Sequence, residues 1–339
     1  MSAFAPIAAL PALETDGILR PPFSPELETV RASAGLLRAE HFESIESLRA
    51  QPDSFTIAAF LTEFPDLMHK EYTIPAPPDN PSTSIILSVF TRKDSTCTQR
   101  PAVYNIHGGG QIAGTRFAGF PFIARWYAGM NAVLVTVEYR LAPEHPAPAA
   151  LNDSYTGLVW VTDHAAELGV NPDKIMVQGI SGGGPIAAAC AIKARNEGYP
   201  RLCAQLLSTP MLDCRGETVS ARQFESVGHW CGRTNRMAWG FVLGEGRDVK
   251  GEDISELISP SRATDLAGVA PAFIDAGEAE VFRDEAVRYA GVLWESGVSA
   301  ELHVWPGCWH GFDMLAPEAK VSQAATAVKM DWIRRVLCG

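Results

Sequence analysis

A chain of 339 residues, 47% of them hydrophobic, is long enough to bury a large core as one α/β domain or one domain with a cap. It shows no internal repeat, low-complexity linker or compositional break that would mark two equal domains. A formal net charge of −11 argues against nucleic acid and anionic membranes as partners, and no apolar run approaches the roughly 20 residues of a membrane span.

Seven cysteines, odd in number and without a C-x-x-C pair, predict free thiols in a reducing compartment. The proline-broken N-terminus carries no Lys or Arg ahead of its apolar stretch, unlike a signal peptide, and together these features predict a cytoplasmic protein.

In chain order, residues 1 to about 22 are rich in Ala and Pro without a period and predict an arm. From Pro25 to Phe64 apolar residues fall at helical spacing, Leu27, Val30, Ala34 and Leu37 and then Phe42, Ile45 and Leu48, which predicts two or three amphipathic helices ahead of any strand. Strand patterns follow at Glu71–Ile74 and Ser84–Phe90, read as an antiparallel pair across the turn-rich APPDNPST. Further strands are expected at Pro101–Ile106, Ala132–Tyr139, around Ile175–Val177, and at Ala204–Ser208, Ala272–Ala276 and Ala300–Val304. Helices are expected at about Pro121–Gly129, Ala147–Leu168, from Ser181 to Gly198, Arg283–Glu295 and Pro317–Val336. Eight strands with helices alternating from the third onward make a mostly parallel sheet covered on both faces. A polar and aromatic insert from about Asp213 to Gly268, with Phe224, Trp230, Met237, Trp239 and Phe241, is placed to wall a pocket at the carboxyl ends of the strands.

The chemistry is expected at Gly179-Ile180-Ser181-Gly182-Gly183, a G-x-S-x-G turn between a buried strand and a helix of small residues. Flanking glycines let such a turn push the serine hydroxyl out of the sheet, and the helix N-terminus beside it favours an oxyanion. A second donor segment ends the third strand at His107-Gly108-Gly109-Gly110, so the NH groups of Gly109, Gly110 and Gly182 can form an oxyanion hole. The spacing Gly108-x-Gly110-x-x-Ala113 also fits a loose dinucleotide fingerprint, but QIAGTRFAG is a poor helix start and Glu138 lies too far on for the ribose-binding acid.

Of the histidines, His310 in the loop after the last strand is the expected base, whereas His303 sits inside an alternating strand, and His41, His69 and His164 are expected on helices or their ends at the surface. The orienting acid is expected after the seventh strand, where spacing leaves both Glu278 and Glu280 open. No histidine and acid group has metal-ligand spacing such as H-E-x-x-H, so neither metal nor cofactor is expected.

Together these motifs resemble the hormone-sensitive-lipase-like family of α/β-hydrolases over residues 100 to 315: HGGG at 107–110, YRLAPEHPAPAA at 139–150, GISGGG at 179–184, VFRDE at 281–285 and HGF at 310–312. The resemblance implies an α/β-hydrolase fold, with residues 1–65 as arm and cap helices, 66–339 as the catalytic domain, and the insert at about 213–268 completing the cap. It implies a catalytic triad of Ser181, Glu280 and His310, an oxyanion hole from Gly108, Gly109, Gly110 and Gly182, and structural roles for Arg140 and Glu144. Glu280 then stands where the family usually has Asp, and Ile180 and Gly182 replace the Asp and Ala usually flanking the serine. The implied partner is a small-molecule ester, and a homodimer through the eighth strand and its flanking helix is also implied. The alternatives are a lactone or amide hydrolase, an acyltransferase, and a non-catalytic small-molecule receptor on the same fold.

Overall fold

Short apolar runs bounded by turn residues pair into one eight-stranded sheet in the computed structural model, which describes residues 13–15, 17–33, 44–50, 55–75, 77 and 84–339. The strands are β1 (Leu67–Pro75), β2 (Ser84–Arg92), β3 (Arg100–Ile106), β4 (Val133–Glu138), β5 (Val170–Ile180), β6 (Leu202–Ser208), β7 (Ala272–Gly277) and β8 (Ala300–Trp305). Their order across the sheet is β8-β7-β6-β5-β3-β4-β2-β1. β1 runs antiparallel to β2 and β2 antiparallel to β4, and every other pairing is parallel. The central strands are covered on both faces and are therefore apolar and buried through most of their length, whereas β1 at the edge is half-buried or exposed except at Ile74.

Two apolar cores flank the sheet. One lies under the helices Ala149–Asp163 and Gly183–Glu197, the other under the helix Phe120–Trp126 and the last helix, Lys320–Cys338. A third core covers the carboxyl ends of the strands and joins Phe23, Leu27 and Ile45 of the N-terminal segment to Phe224, Trp230 and Trp239 of the insert and to Phe282 and Trp309. Arg49, at the end of the short helix Ile45–Arg49, clamps that segment down, donating to Ile112 O (2.7 Å), Ala142 O (2.9 Å) and both oxygens of Glu144 (2.6 and 2.7 Å).

The structure departs from the sequence reading in several places. Part of the expected arm is a two-stranded antiparallel pair, Leu13–Thr15 with Ile18–Arg20, in which Gly17 takes φ +77° and Leu19 O accepts from Gln223 of the insert at 2.7 Å. His69 is on β1 rather than a helix, and its half-buried ring lies 4.8 Å from that of Phe90. The helix expected over about 147–168 divides at His164, whose Nδ1 lies 2.8 Å from the Trp160 carbonyl and competes with the backbone for that acceptor. Ala34, Leu37, Phe42, His41 and most of the turn between β1 and β2 lie outside the described residues. Among the described residues no helix is long and apolar enough to cross a membrane.

Candidate active site

Ser181 directly follows β5 and takes φ +52°, a left-handed conformation that a non-glycine residue adopts only when its surroundings enforce it. The enforcement is visible on both sides. A Cβ on Gly179 would sit 2.3 Å from Gly183 O, and one on Gly183 would sit 2.2 Å from Ile106 O, so the elbow closes only with glycine at both positions. Three backbone bonds then hold the serine: its N–H donates to Ser208 O (3.0 Å), and its carbonyl accepts from Gly184 N (2.9 Å) and Met211 N (3.1 Å).

His310, in the turn after β8, brings Nε2 to 2.9 Å from Ser181 Oγ. Its other nitrogen lies 2.6 Å from Glu280 Oε2, an arrangement in which Nδ1–H donates to the carboxylate and Nε2 is left to accept from the serine hydroxyl. The imidazole is packed edge-on against Phe282, with ring centres 5.0 Å apart, and Trp230 stands 6.5 Å away on another side.

Glu280 is 1% exposed, on the loop after β7, and its Oε1 accepts from Gly277 N at 2.6 Å. Of the two acids that spacing left open, Glu278 turns elsewhere and accepts from Gly307 N at 2.9 Å. The loop carrying both is tied to the insert. Arg283 donates to Glu278 O and to Gln223 Oε1, Ser220 N donates to Asp284, and Glu285 accepts from Leu212 N and Asp213 N. Burial, aided by the nearby Asp213 charge, pushes the Glu285 carboxyl well above the usual carboxylate range.

The glycine segments meet beside the serine. A Cβ on Gly182 would lie 2.4 Å from Gly110 N, so there backbone packs on backbone with no room for a side chain, and one on Gly108 would lie 3.2 Å from Ile180 O, a tight contact beside the serine. Gly110, at φ +63°, also lies under the indole of Trp230, whose Cη2 would be 2.6 Å from an added Cβ, and Gly109 turns at φ +105°. Beneath this turn His107 is buried and stacked on Tyr139 at 4.1 Å, with the Tyr139 hydroxyl donating to His107 O at 2.9 Å. Arg140 is bound through its guanidinium and backbone N–H to the buried Asp153, and Glu144 holds Arg49.

A family model described as the α/β hydrolase fold matches residues 103–314. The chain belongs to the hormone-sensitive-lipase-like α/β-hydrolases. This α/β-hydrolase is 36% identical over 245 residues to carboxylesterase NlhH of Mycobacterium tuberculosis, a match spanning 70% of this chain and 74% of the relative. It is 30% identical over 252 residues to esterase LipI of the same organism, spanning 71% and 74%. Among solved structures it resembles a bacterial heroin esterase (TM-score 0.85, 35% identity, 93% of this chain and 98% of that one) and a hyperthermophilic esterase from the archaeon Pyrobaculum calidifontis (TM-score 0.77, 29% identity, 93% and 98%).

Some residues of this α/β-hydrolase's site were not assigned from sequence. Phe282 falls within the VFRDE resemblance, and nothing in its spacing points to the imidazole. His229 sits beside Trp230 in a loop without periodicity. Burial, and the nearby His310, lower its pKa to about 4, and burial alone lowers that of His107 to about 4. In the unfolded chain both titrate near 6.5, so as pH falls the unfolded state takes up these protons first. Their contribution to stability is complete above about pH 6.5 and declines toward pH 4, by about 3 kcal/mol for the fully buried His107. Urea midpoints measured from pH 7 to pH 4.5 are expected to fall less steeply for His229→Gln than for the wild type, and equal slopes would refute this assignment. Among the described residues no group of three or more His, Cys, Asp or Glu is arranged to hold a metal.

Proposed function

We propose that this protein is a serine carboxylic ester hydrolase working through an acyl-enzyme on small to medium acyl esters, with Ser181 as nucleophile, His310 as base and acid, and Glu280 as the orienting carboxylate. The observation that carries the reading is the unbroken hydrogen-bond chain from Gly277 N through Glu280 and His310 to Ser181 Oγ. As Ser181 Oγ attacks the ester carbonyl, His310 Nε2 takes its proton, and Glu280 stabilises the imidazolium that forms. The NH groups of Gly109, Gly110 and Gly182 receive the developing oxyanion. His310 then protonates the departing alkoxide, and a water activated by the same nitrogen cleaves the acyl-enzyme. A receptor reading gives this chain no task, whereas ester cleavage uses every member of it.

Hydrolysis of p-nitrophenyl acetate through octanoate, with phosphonate labelling located to Ser181 by mass spectrometry, tests the proposal. The absence of both turnover and a Ser181 adduct would refute it. Adding an alcohol acceptor separates hydrolysis from acyl transfer, because free acid as the dominant product is expected and new ester would overturn that part.

The oxyanion hole has its own test. Gly182→Ala drives a Cβ against Gly110 N and pries the two glycine segments apart. Alanine is the residue the family usually carries here and it keeps the N–H, so the variant reads the spacing of the two glycine segments: kcat is expected to drop, at most by the about 10²-fold of a lost oxyanion donor. An unchanged kcat would show that the segments separate to admit the methyl group without disturbing the hole.

The same reading makes residues 1–65 and the insert at about 213–268 a cap over a hydrolase domain of residues 66–339, which the apolar core they share above the strand ends supports. A cytoplasmic location is supported by the seven free cysteines. A homodimer formed through the edge of β8 belongs to the reading as well, supported by Val287 and Trp294, exposed on the helix Arg283–Glu295 beside it.

A further inference from the structure

The last helix carries a lysine where its pattern calls for an apolar residue. Lys329 is four residues from Ala325 and from Ile333, on the stripe that faces the sheet, and it has no exposed surface. A buried ammonium is costly unless paired and fully hydrogen-bonded. Here Nζ donates to Ser208 Oγ (2.8 Å) and Asp313 Oδ2 (3.1 Å), lies 3.2 Å from Asp275 Oδ2, and rests 4.2 Å from the centre of the Trp126 ring. The Ser208 hydroxyl in turn donates a hydrogen bond to Asp275 Oδ1 at 2.8 Å. Burial works against the charge, but the two carboxylates outweigh it and hold the ammonium above its ordinary pKa.

Each partner of Lys329 belongs to a segment that carries part of the proposed triad. Ser208 ends β6, and its carbonyl accepts the Ser181 N–H. Asp275 is on β7, two residues before Gly277, whose N–H holds Glu280. Asp313 lies three residues beyond His310, in a tight turn closed by Phe312 N to Trp309 O and Met314 N to Gly311 O. These three segments are far apart in sequence, and the ammonium is bonded to all of them.

We infer, on the reading of Ser181, Glu280 and His310 given above, that Lys329 and Asp313 are positioning residues that fix the base-bearing turn against the nucleophile and so set the Ser181–His310 geometry. Neither touches the reacting atoms. Their effect comes through the turn, since a displacement of about 1 Å in a catalytic group costs on the order of 10²-fold in rate.

The Asp313 series supplies the test, because Lys329→Met leaves two buried carboxylates without their cation and is liable not to fold. Wild type, Asp313→Ala and Asp313→Asn are compared by phosphonate titration of Ser181, thermal unfolding, and kcat and KM for p-nitrophenyl butyrate, with kcat expressed per titrated serine. Asp313→Ala is expected to lower kcat per titrated serine about 10- to 100-fold with KM within about twofold, since the turn moves and the binding walls do not. Asp313→Asn keeps an oxygen that accepts from Lys329 and is expected to restore kcat to within a few-fold of wild type. A lower melting temperature with unchanged kcat per titrated serine would show that the network only stabilises the fold, and would overturn the inference. Equal losses in the Ala and Asn variants would also overturn it, since the bond to Lys329 would then be irrelevant. If wild-type Ser181 takes no phosphonate at all, the nucleophile reading fails first, and that result is distinct from either of these.

Discussion

Ser181→Ala is expected to lower kcat by about 10⁶-fold and to abolish phosphonate labelling while leaving the fold in place. The size follows from the way the parts act as a unit. Without Oγ, His310 has no proton to accept and Glu280 has no imidazolium to stabilise, so the loss approaches that of removing the whole constellation. What survives is the background from substrate binding and the glycine NH groups, about 10³- to 10⁴-fold over water. Stability should barely change. The strained φ of +52° is set by the glycines around the elbow and by the backbone bonds to Ser208, Gly184 and Met211, none of which uses the hydroxyl. Among the described residues, the only side-chain bond removed is the one to His310 Nε2. Circular dichroism and the melting temperature of the variant should therefore match the wild type. Turnover above one part in a thousand of wild type, in protein free of wild-type contamination, would mean that another group attacks the ester.

How much of this was legible in the sequence depended on whether local chemistry or long-range contact decides a position. The parallel sheet was readable because its strands are buried on both faces and so appear as apolar runs between turns. Ser181 was readable because its conformation is imposed by its immediate neighbours, and a glycine pattern encodes that in five residues. The acid was not. Glu278 and Glu280 are two apart on a loop with no period, and what separates them in space is that Gly307 N claims one and Gly277 N with His310 claims the other. Only the family resemblance favoured Glu280. Lys329 left a clue, a cation on an apolar helical stripe, but its partners come from β6, β7 and the turn after β8, and no sequence spacing brings those together. The pair Leu13–Thr15 and Ile18–Arg20 was hidden for another reason. Strands of three residues are too short to show alternation, and the contact with the insert helix is long-range.

Glu280→Gln is expected to lower kcat by about 10⁴-fold with little change in KM, the loss seen when the orienting acid of a serine triad becomes an amide. The two oxygens of Glu280 both accept: Oε1 from Gly277 N and Oε2 from His310 Nδ1. An amide offers one acceptor and one donor at the same two places. If its oxygen faces Gly277, its NH2 faces Nδ1, which must then accept, and the proton moves to Nε2. An imidazole in that tautomer cannot take the proton of Ser181. If the oxygen faces His310 instead, the NH2 opposes the buried Gly277 N–H, leaving a donor unsatisfied at a cost of about 1–3 kcal/mol. The amide therefore favours the unproductive tautomer, and even its productive orientation lacks the charge that stabilises the imidazolium. Glu280→Asp separates the two contributions. It keeps the charge and both acceptors but is one methylene shorter, so it cannot span from Gly277 N to Nδ1 without moving the loop, and its kcat should fall between wild type and Glu280→Gln. An unchanged kcat in Glu280→Gln would remove Glu280 from the mechanism. A Glu280→Asp variant poorer than Glu280→Gln would mean that reach rather than charge is what this carboxylate supplies.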